Sequence, residues 1–431
     1  MLEPLKLADI KTLLEMEEER TQVAELDDVS RWIELALSGI PDLAVYHEAL
    51  LKIEEYFEET GLEGDDLHLW RAYRDLFAQR FSRVYDDILE ITDVIATDLF
   101  NYFVHNPLLK NVKSRFSECT IPFTFLGKTE DYYFTYTHDT EHPVAVISIP
   151  QGLVSSAWNW LAIPHEIGHN IFAHFINYEK ELLEKVTEVL SNHSFKINII
   201  DYPHRMSGKK IMETIWRAWI DELMADLFGV LFTGPAFVMD RQEDATRVSS
   251  RACVDVNISV WDVQNMVLER HPTFYLRPLL GTKMLRALDF PHLAEILDHR
   301  WFELYPNIRK KGELIWVDEK PDGNIQLFSI PVDEMLRCFD LILPVMLKSK
   351  MKSLGGAPLI DIIHFDELDF VISTVVAQDI INQTNKFARF VKPRHILAAS
   401  RIAFESDPKK AEIIHTSATQ ALLHFKNTYM E

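Results

Sequence analysis

Ile163-Pro164-His165-Glu166-Ile167-Gly168-His169-Asn170-Ile171-Phe172 decides how the rest of the chain is read. His165 and His169 are four residues apart, so on a helix they lie one turn above each other and offer two imidazoles to one metal ion. Glu166 follows the first histidine. From there its carboxylate reaches a water on the metal rather than the metal itself, the place of a general base in metal-assisted hydrolysis. Ile167, Ile171, Phe172 and Phe175 make this helix a buried one. Its imidazoles and carboxylate must then be satisfied inside the protein, and a metal ion does so. Pro164 either opens the helix at its first position or kinks a longer one, and in both cases His165 stands in the first turn after it.

Two histidines and a water leave a hydrolytic zinc one protein ligand short. The candidate is Glu222, in Trp219-Ile220-Asp221-Glu222-Leu223-Met224-Ala225-Asp226, on a helix predicted from about residue 210 to 232. Glu222 and Asp226 share one face of an otherwise apolar helix. A buried carboxylate pair is destabilising unless something pairs with it. Zinc for Glu222, and the far ring nitrogen of a ligand histidine for Asp226, would pair both. Gly229, one turn on, either lets this helix approach the metal helix or is merely tolerated.

His-Glu-x-x-His followed some fifty residues later by Glu-x-x-Ala-Asp on a second helix resembles the gluzincin metallopeptidases. His271-Pro272, with Arg277 six residues after the histidine, is similar to the His-Pro element of the gluzincins that include the membrane CAAX prenyl proteases. The resemblance covers about residues 145–290. It implies a zincin-like catalytic core, Zn²⁺ held by His165, His169 and Glu222, Glu166 as base, and Asp226 supporting the ligands from behind. Unlike those membrane enzymes, this chain shows no transmembrane helix and carries long helical flanks. A hydrolase of this kind needs a donor for the oxyanion, for which His271 is the first choice and Tyr275 the second. Tyr202 and His204 lie in a loop that could also approach. His174, His193, His364 and His395 read as core or surface residues, and Arg277 as the partner of an acidic neighbour.

Composition bounds the partners. The 431 residues are 47% hydrophobic with 14 Gly and 19 Pro, as in a folded, helix-rich protein. The formal charge of −22 argues against nucleic acid or an anionic membrane as the main partner. Much of it is local: residues 1–100 hold 25 Asp and Glu against 9 Lys and Arg. That region is a solvated face, or a docking surface for a basic partner. Cys119, Cys253 and Cys338 form no C-x-x-C pair, so neither a disulfide framework nor a thiolate site is expected. The N-terminus lacks a secretory pattern and no apolar run is long enough to span a bilayer, which points to a cytoplasmic protein without membrane insertion.

In chain order, 1–108 reads as an acidic helical region, with apolar positions at helical spacing over 43–57 and 69–89. Period-2 patterns at 122–126, 132–136 and 144–149 predict a small sheet. That sheet directly precedes the metal helix, so an extended peptide could add itself to its edge. Helices follow at 181–192, about 210–232, from His271 to about Leu288, and over 292–303. A β-hairpin is predicted at 314–317 and 325–328, and the tail beyond 331 is helical. The expected fold is mainly α with a small β-sheet, divided as 1–108, a core over 109–310, and a hairpin plus helical region over 311–431. The expected activity is zinc-dependent hydrolysis of peptide or protein substrates. The alternative is a regulatory or interaction protein whose core binds metal without cutting.

Overall fold

Helix α1 (Asp86–Val104) leads into strands β1 (Phe123–Gly127), β2 (Phe134–Tyr136) and β3 (Val146–Pro150) of the computed structural model. It describes residues 86–114, 122–127, 133–136, 144–199, 207–246, 255–262, 265–268, 270–306, 312–318, 325–384 and 389–429, with the single positions Lys52, Tyr73 and Gln79. All three strands read from the sequence form. They make one sheet in the order β1-β3-β2, with β1 parallel and β2 antiparallel to β3. Every residue of the central strand β3 is buried, which explains its nearly continuous apolar run.

The outer edge of β1 is closed by side chains. Asp93 on α1 accepts from the Thr124 amide (2.8 Å) and hydroxyl (2.7 Å), and the Gln79 amide bonds both backbone groups of Leu126 at 2.7 Å. Such covering removes a free strand edge. β2 forms the opposite edge, and among the described residues nothing pairs with its outer side.

Two 3₁₀ turns carry the chain to α2 (Ala162–His174), which holds the motif. Pro164 is the third residue of α2, inside the first turn, where a backbone N–H has no helical partner to lose. After α3 (Tyr178–Ser191) and the short strand β4 (Asn198–Ile199) comes α4 (Gly208–Thr233). Ser207 caps α4 by accepting from the Lys210 amide at 3.3 Å. Apart from its first turn and Arg217 and Asp221, α4 is largely covered by other elements. Trp216 lies along Phe339 (5.9 Å) and Trp219 along Trp316 (6.4 Å), which stacks on Phe328 (5.0 Å). These rings seat α4 against a second sheet.

That second sheet was not foreseen. Helix α5 (Pro235–Thr246) is followed by β5 (Asp255–Asp262) and β6 (Asn265–Leu268), in a region read as mixed. Helices α6 (Leu276–Ala287) and α7 (Pro291–Leu304) precede the predicted hairpin, β7 (Glu313–Asp318) and β8 (Ile325–Pro331). The five strands run β4-β8-β7-β5-β6, with β5 parallel to β7 and the other pairs antiparallel. The hairpin assigned to 311–431 therefore shares a sheet with strands from 109–310, and the buried core is continuous across residue 310. The helix expected to open at His271-Pro272 begins at Leu276, whose amide donates to the Thr273 hydroxyl at 3.2 Å. Helices α8 (Val332–Lys348), α9 (Leu359–Ile362), α10 (Glu367–Asn382), α11 (Pro393–Ser406) and α12 (Ala411–Tyr429) complete the chain.

The acidic region before residue 86, apart from its three described positions, lies outside the described residues, as do Tyr202, His204, Cys119 and Cys253. Cys338 is a buried free thiol. No helix among the described residues is long and apolar enough to cross a membrane.

His174, in the last turn of α2, sits edge-on to Phe100 (5.7 Å) and Phe175 (4.8 Å), and burial pushes its pKa down to about 4. Its folded value lies below the unfolded one, so its contribution is fully present above about pH 6.5. That contribution is lost as pH falls from 6.5 towards 4, by about 3 kcal/mol at most. Between pH 7.5 and pH 4.5 the parent's melting temperature should therefore drop further than that of His174→Phe. Equal drops would show that this ring does not titrate as its burial requires.

Candidate metal centre

Two helices meet to make the site, and a glycine sets their distance. A Cβ built on Gly168 would lie 2.8 Å from Ala225 Cα and 2.9 Å from Phe228 Cβ, so α2 and α4 touch at backbone level there. Gly229 does something else. A Cβ on it would strike the Phe237 ring at 2.4 Å, and that ring lies nearly parallel to His165, with centroids 6.4 Å apart. The close approach considered for Gly229 is thus made by Gly168, inside the motif, while Gly229 makes room for Phe237. Gly168→Ala should cost about 1–3 kcal/mol by overpacking. It should also weaken metal binding, because the ligands come from both helices. Melting and metal titration of the variant test this, and parental values in both would remove Gly168 as the spacer.

His165 and His169 share the α2 face that meets α4. Their Nε2 atoms stand 3.2 Å apart, and each is 3.5 Å from an oxygen of Glu222. An ion with tetrahedral bonds of about 2.0–2.1 Å needs ligand atoms about 3.3–3.4 Å apart. The Nε2–Nε2 spacing is close to that requirement, while the two Glu222 contacts run to different oxygens, Oε2 for His165 and Oε1 for His169; this buried His-His-Glu group could hold a metal ion. Both outer ring nitrogens are occupied. His165 Nδ1 donates to Asp226 Oδ1 at 3.0 Å and His169 Nδ1 to Asp221 Oδ1 at 3.2 Å. Held in this way, each ring directs its Nε2 towards the shared point, where a metal ion would take the place of a proton.

Arg277, in the first turn of α6, holds the carboxylates from behind. Its Nε and one terminal nitrogen fork onto Asp226 at 2.6 and 2.8 Å, and the same nitrogen donates to Glu222 Oε2 at 3.1 Å. Burial alone would raise the Asp226 and Glu222 carboxyls. For Asp226 the Arg277 charge and the His165 bond win, and for Glu222 the bonds to His165 and His271 and the Arg277 charge, so both lie well below the carboxylate range. For His169 burial opposes the charged form, but the Asp221 hydrogen bond and charge, with Glu166 and Glu222, hold it up at about 9. The site is built to attract a cation. It opens at Asp221 and His271, whose side chains are 52% and 54% exposed.

Among the residues singled out from the sequence, the structure brings together His165, His169, Glu222, Asp226 and His271, whose Nε2 is 3.1 Å from Glu222 Oε1. Glu166 is a buried residue, and its carboxylate makes no hydrogen bond or ion pair among the described residues. Tyr275 is placed differently. Its ring packs on Trp301 and Tyr305, and its carbonyl accepts from Trp301 Nε1 at 3.1 Å, so it belongs to the core behind the site. Sequence reasoning missed Asp221 as the His169 partner, while Arg277, read as the partner of an acidic neighbour, pairs with two carboxylates, Asp226 and Glu222. For Asp221 the only signal was adjacency to Glu222, and for Arg277 its fixed distance from His271. Comparisons with protein families, with curated proteins and with solved structures found no match to this chain.

Proposed function

We propose that the chain is a zinc-dependent peptidase of gluzincin type, with His165, His169 and Glu222 as ligands. The observation that carries this reading is the Glu166 carboxylate. Glu166 is a buried residue that follows directly on a candidate ligand histidine, on the neighbouring face of the same helix, from where its carboxylate can reach a water on the metal. A purely structural metal site has no need of it, which argues against the non-catalytic alternative. Two imidazoles and a carboxylate that converge on one point, with an open approach, match a hydrolytic zinc site better than a closed structural one.

When bound, the ion would supply Lewis acidity, acidifying water and polarising the scissile carbonyl. Glu166 takes the proton of the water that attacks the carbonyl carbon, then passes it to the leaving amine. His271 stands at the mouth, its Nε2 3.1 Å from Glu222 Oε1, and would donate towards the developing oxyanion once a metal ion holds Glu222. Asp226 and Asp221 keep the ligand imidazoles in one tautomer, and Arg277 keeps Asp226 ionised. β2, the edge of the first sheet that pairs with nothing further among the described residues, lies on the Glu166 side of α2, where an extended substrate can add as a further strand.

A zinc-loaded preparation incubated with a mixed peptide library should cut it. Cleavage should stop with 1,10-phenanthroline and return with added zinc. A zinc-loaded chain that cuts no peptide, or cutting indifferent to the chelator, would contradict this reading.

A further inference from the structure

Asn170 lies one turn after Glu166, on the helix face opposite to α4's side of the motif. Its Nδ2 donates to the Thr135 hydroxyl at 2.8 Å and to the Glu166 carbonyl at 2.9 Å. Thr135 is the middle residue of β2, and its hydroxyl donates in turn to the Val146 carbonyl on β3 at 2.8 Å. A continuous hydrogen-bonded path therefore runs from the α2 backbone at Glu166, through two side chains, to the central strand.

We infer that Asn170 and Thr135 are positioning residues that fix the β2 edge against the Glu166 face of α2, so that a peptide laid along that edge is held in register with the metal site. The inference rests on the peptidase reading and deepens it. β2 is a three-residue strand paired on one side among the described residues, so that ladder leaves its placement weakly determined. Asn170 is 5% exposed, and its Oδ1 is buried with no hydrogen-bond partner. A leucine there would fill similar space without an orphaned acceptor, so what this position uses is the pair of amide donors. The opposite edge of the sheet is already sealed by Asp93 and Gln79, and among the described residues β2 is the edge left for a ligand.

The test uses the zinc-loaded full chain and two probes, acetohydroxamate, which engages only a metal, and a tripeptide hydroxamate, which engages the metal and a strand edge. The parent should bind the peptide probe at least about 30-fold more tightly. Asn170→Leu and Thr135→Val should each reduce that advantage about tenfold, with zinc content and acetohydroxamate affinity unchanged. Thr135→Ser, which keeps the hydroxyl, should retain it. An undiminished advantage in both variants would overturn the inference, as would equal losses for both probes, which would mean that the pair merely supports the metal helix. A parent that binds acetohydroxamate but shows no preference for the peptide probe would overturn the inference while leaving the metal site intact. A parent that binds neither would bring down the peptidase reading with it.

Discussion

Replacing Glu166 by Gln is expected to leave fold and metal in place while lowering peptide hydrolysis by about 10²–10⁴-fold, the worth of a positioned general base. The substitution keeps size and most hydrogen-bonding capacity but removes the proton acceptor. Glu166 is not among the three groups that converge at ligand spacing, so zinc content should match the parent. Glu222→Gln should behave differently, losing metal affinity as well as activity, because it alters a proposed ligand whose Oε2 stands 3.5 Å from His165 Nε2 and whose Oε1 stands 3.5 Å from His169 Nε2. Zinc content, melting temperature and library cleavage separate the two variants. A Glu166→Gln chain that cuts at the parental rate would show that this carboxylate is not the base.

The second large effect is on stability. Arg277→Met should destabilise the chain by about 3–5 kcal/mol, because it leaves two buried carboxylates, Asp226 and Glu222, without the cation that holds them ionised. Arg277→Lys should recover only part, since a lysine keeps the charge but not the two-pronged contact with Asp226. Adding Asp226→Asn to Arg277→Met should cost far less than the sum of the single changes, because the uncompensated charge is gone. Chemical denaturation gives these differences. A loss below about 1 kcal/mol for Arg277→Met would mean that the cluster relaxes or hydrates freely.

How much of this was legible depended on how local each signal was. The spacing of His165 and His169 and the apolar residues around them gave a buried helix with a metal-binding face, because helix periodicity is a local property. Glu222 followed from a burial argument, since two carboxylates on a buried face demand partners. The same argument tied Asp226 to a histidine, and the structure places it at His165 Nδ1. The strands at 122–126, 132–136 and 144–149 were legible as short β-rich runs between turn residues. β4 and β5 were not, because they owe their pairing to β8 and β7, which enter the sheet from beyond residue 312, and β6 pairs with β5 in turn. Tyr275 was considered for the oxyanion on its proximity in sequence to His271. Its position one turn away put it instead into the aromatic cluster with Trp301. Gly168 shows the same limit, since the partners it admits, Ala225 and Phe228, lie on an element dozens of residues distant.

Everything argued for the site depends on whether the His165-His169-Glu222 group takes up one zinc ion. Elemental analysis of the purified full chain, followed by stripping and calorimetric titration with Zn²⁺, measures this directly. The expected result is one zinc per chain, bound tightly by the parent, more weakly by Glu222→Gln and by His169→Ala, and unchanged in Glu166→Gln. A stripped parent that keeps its melting temperature and takes up no zinc, or that binds it equally well without Glu222 and His169, would contradict the account.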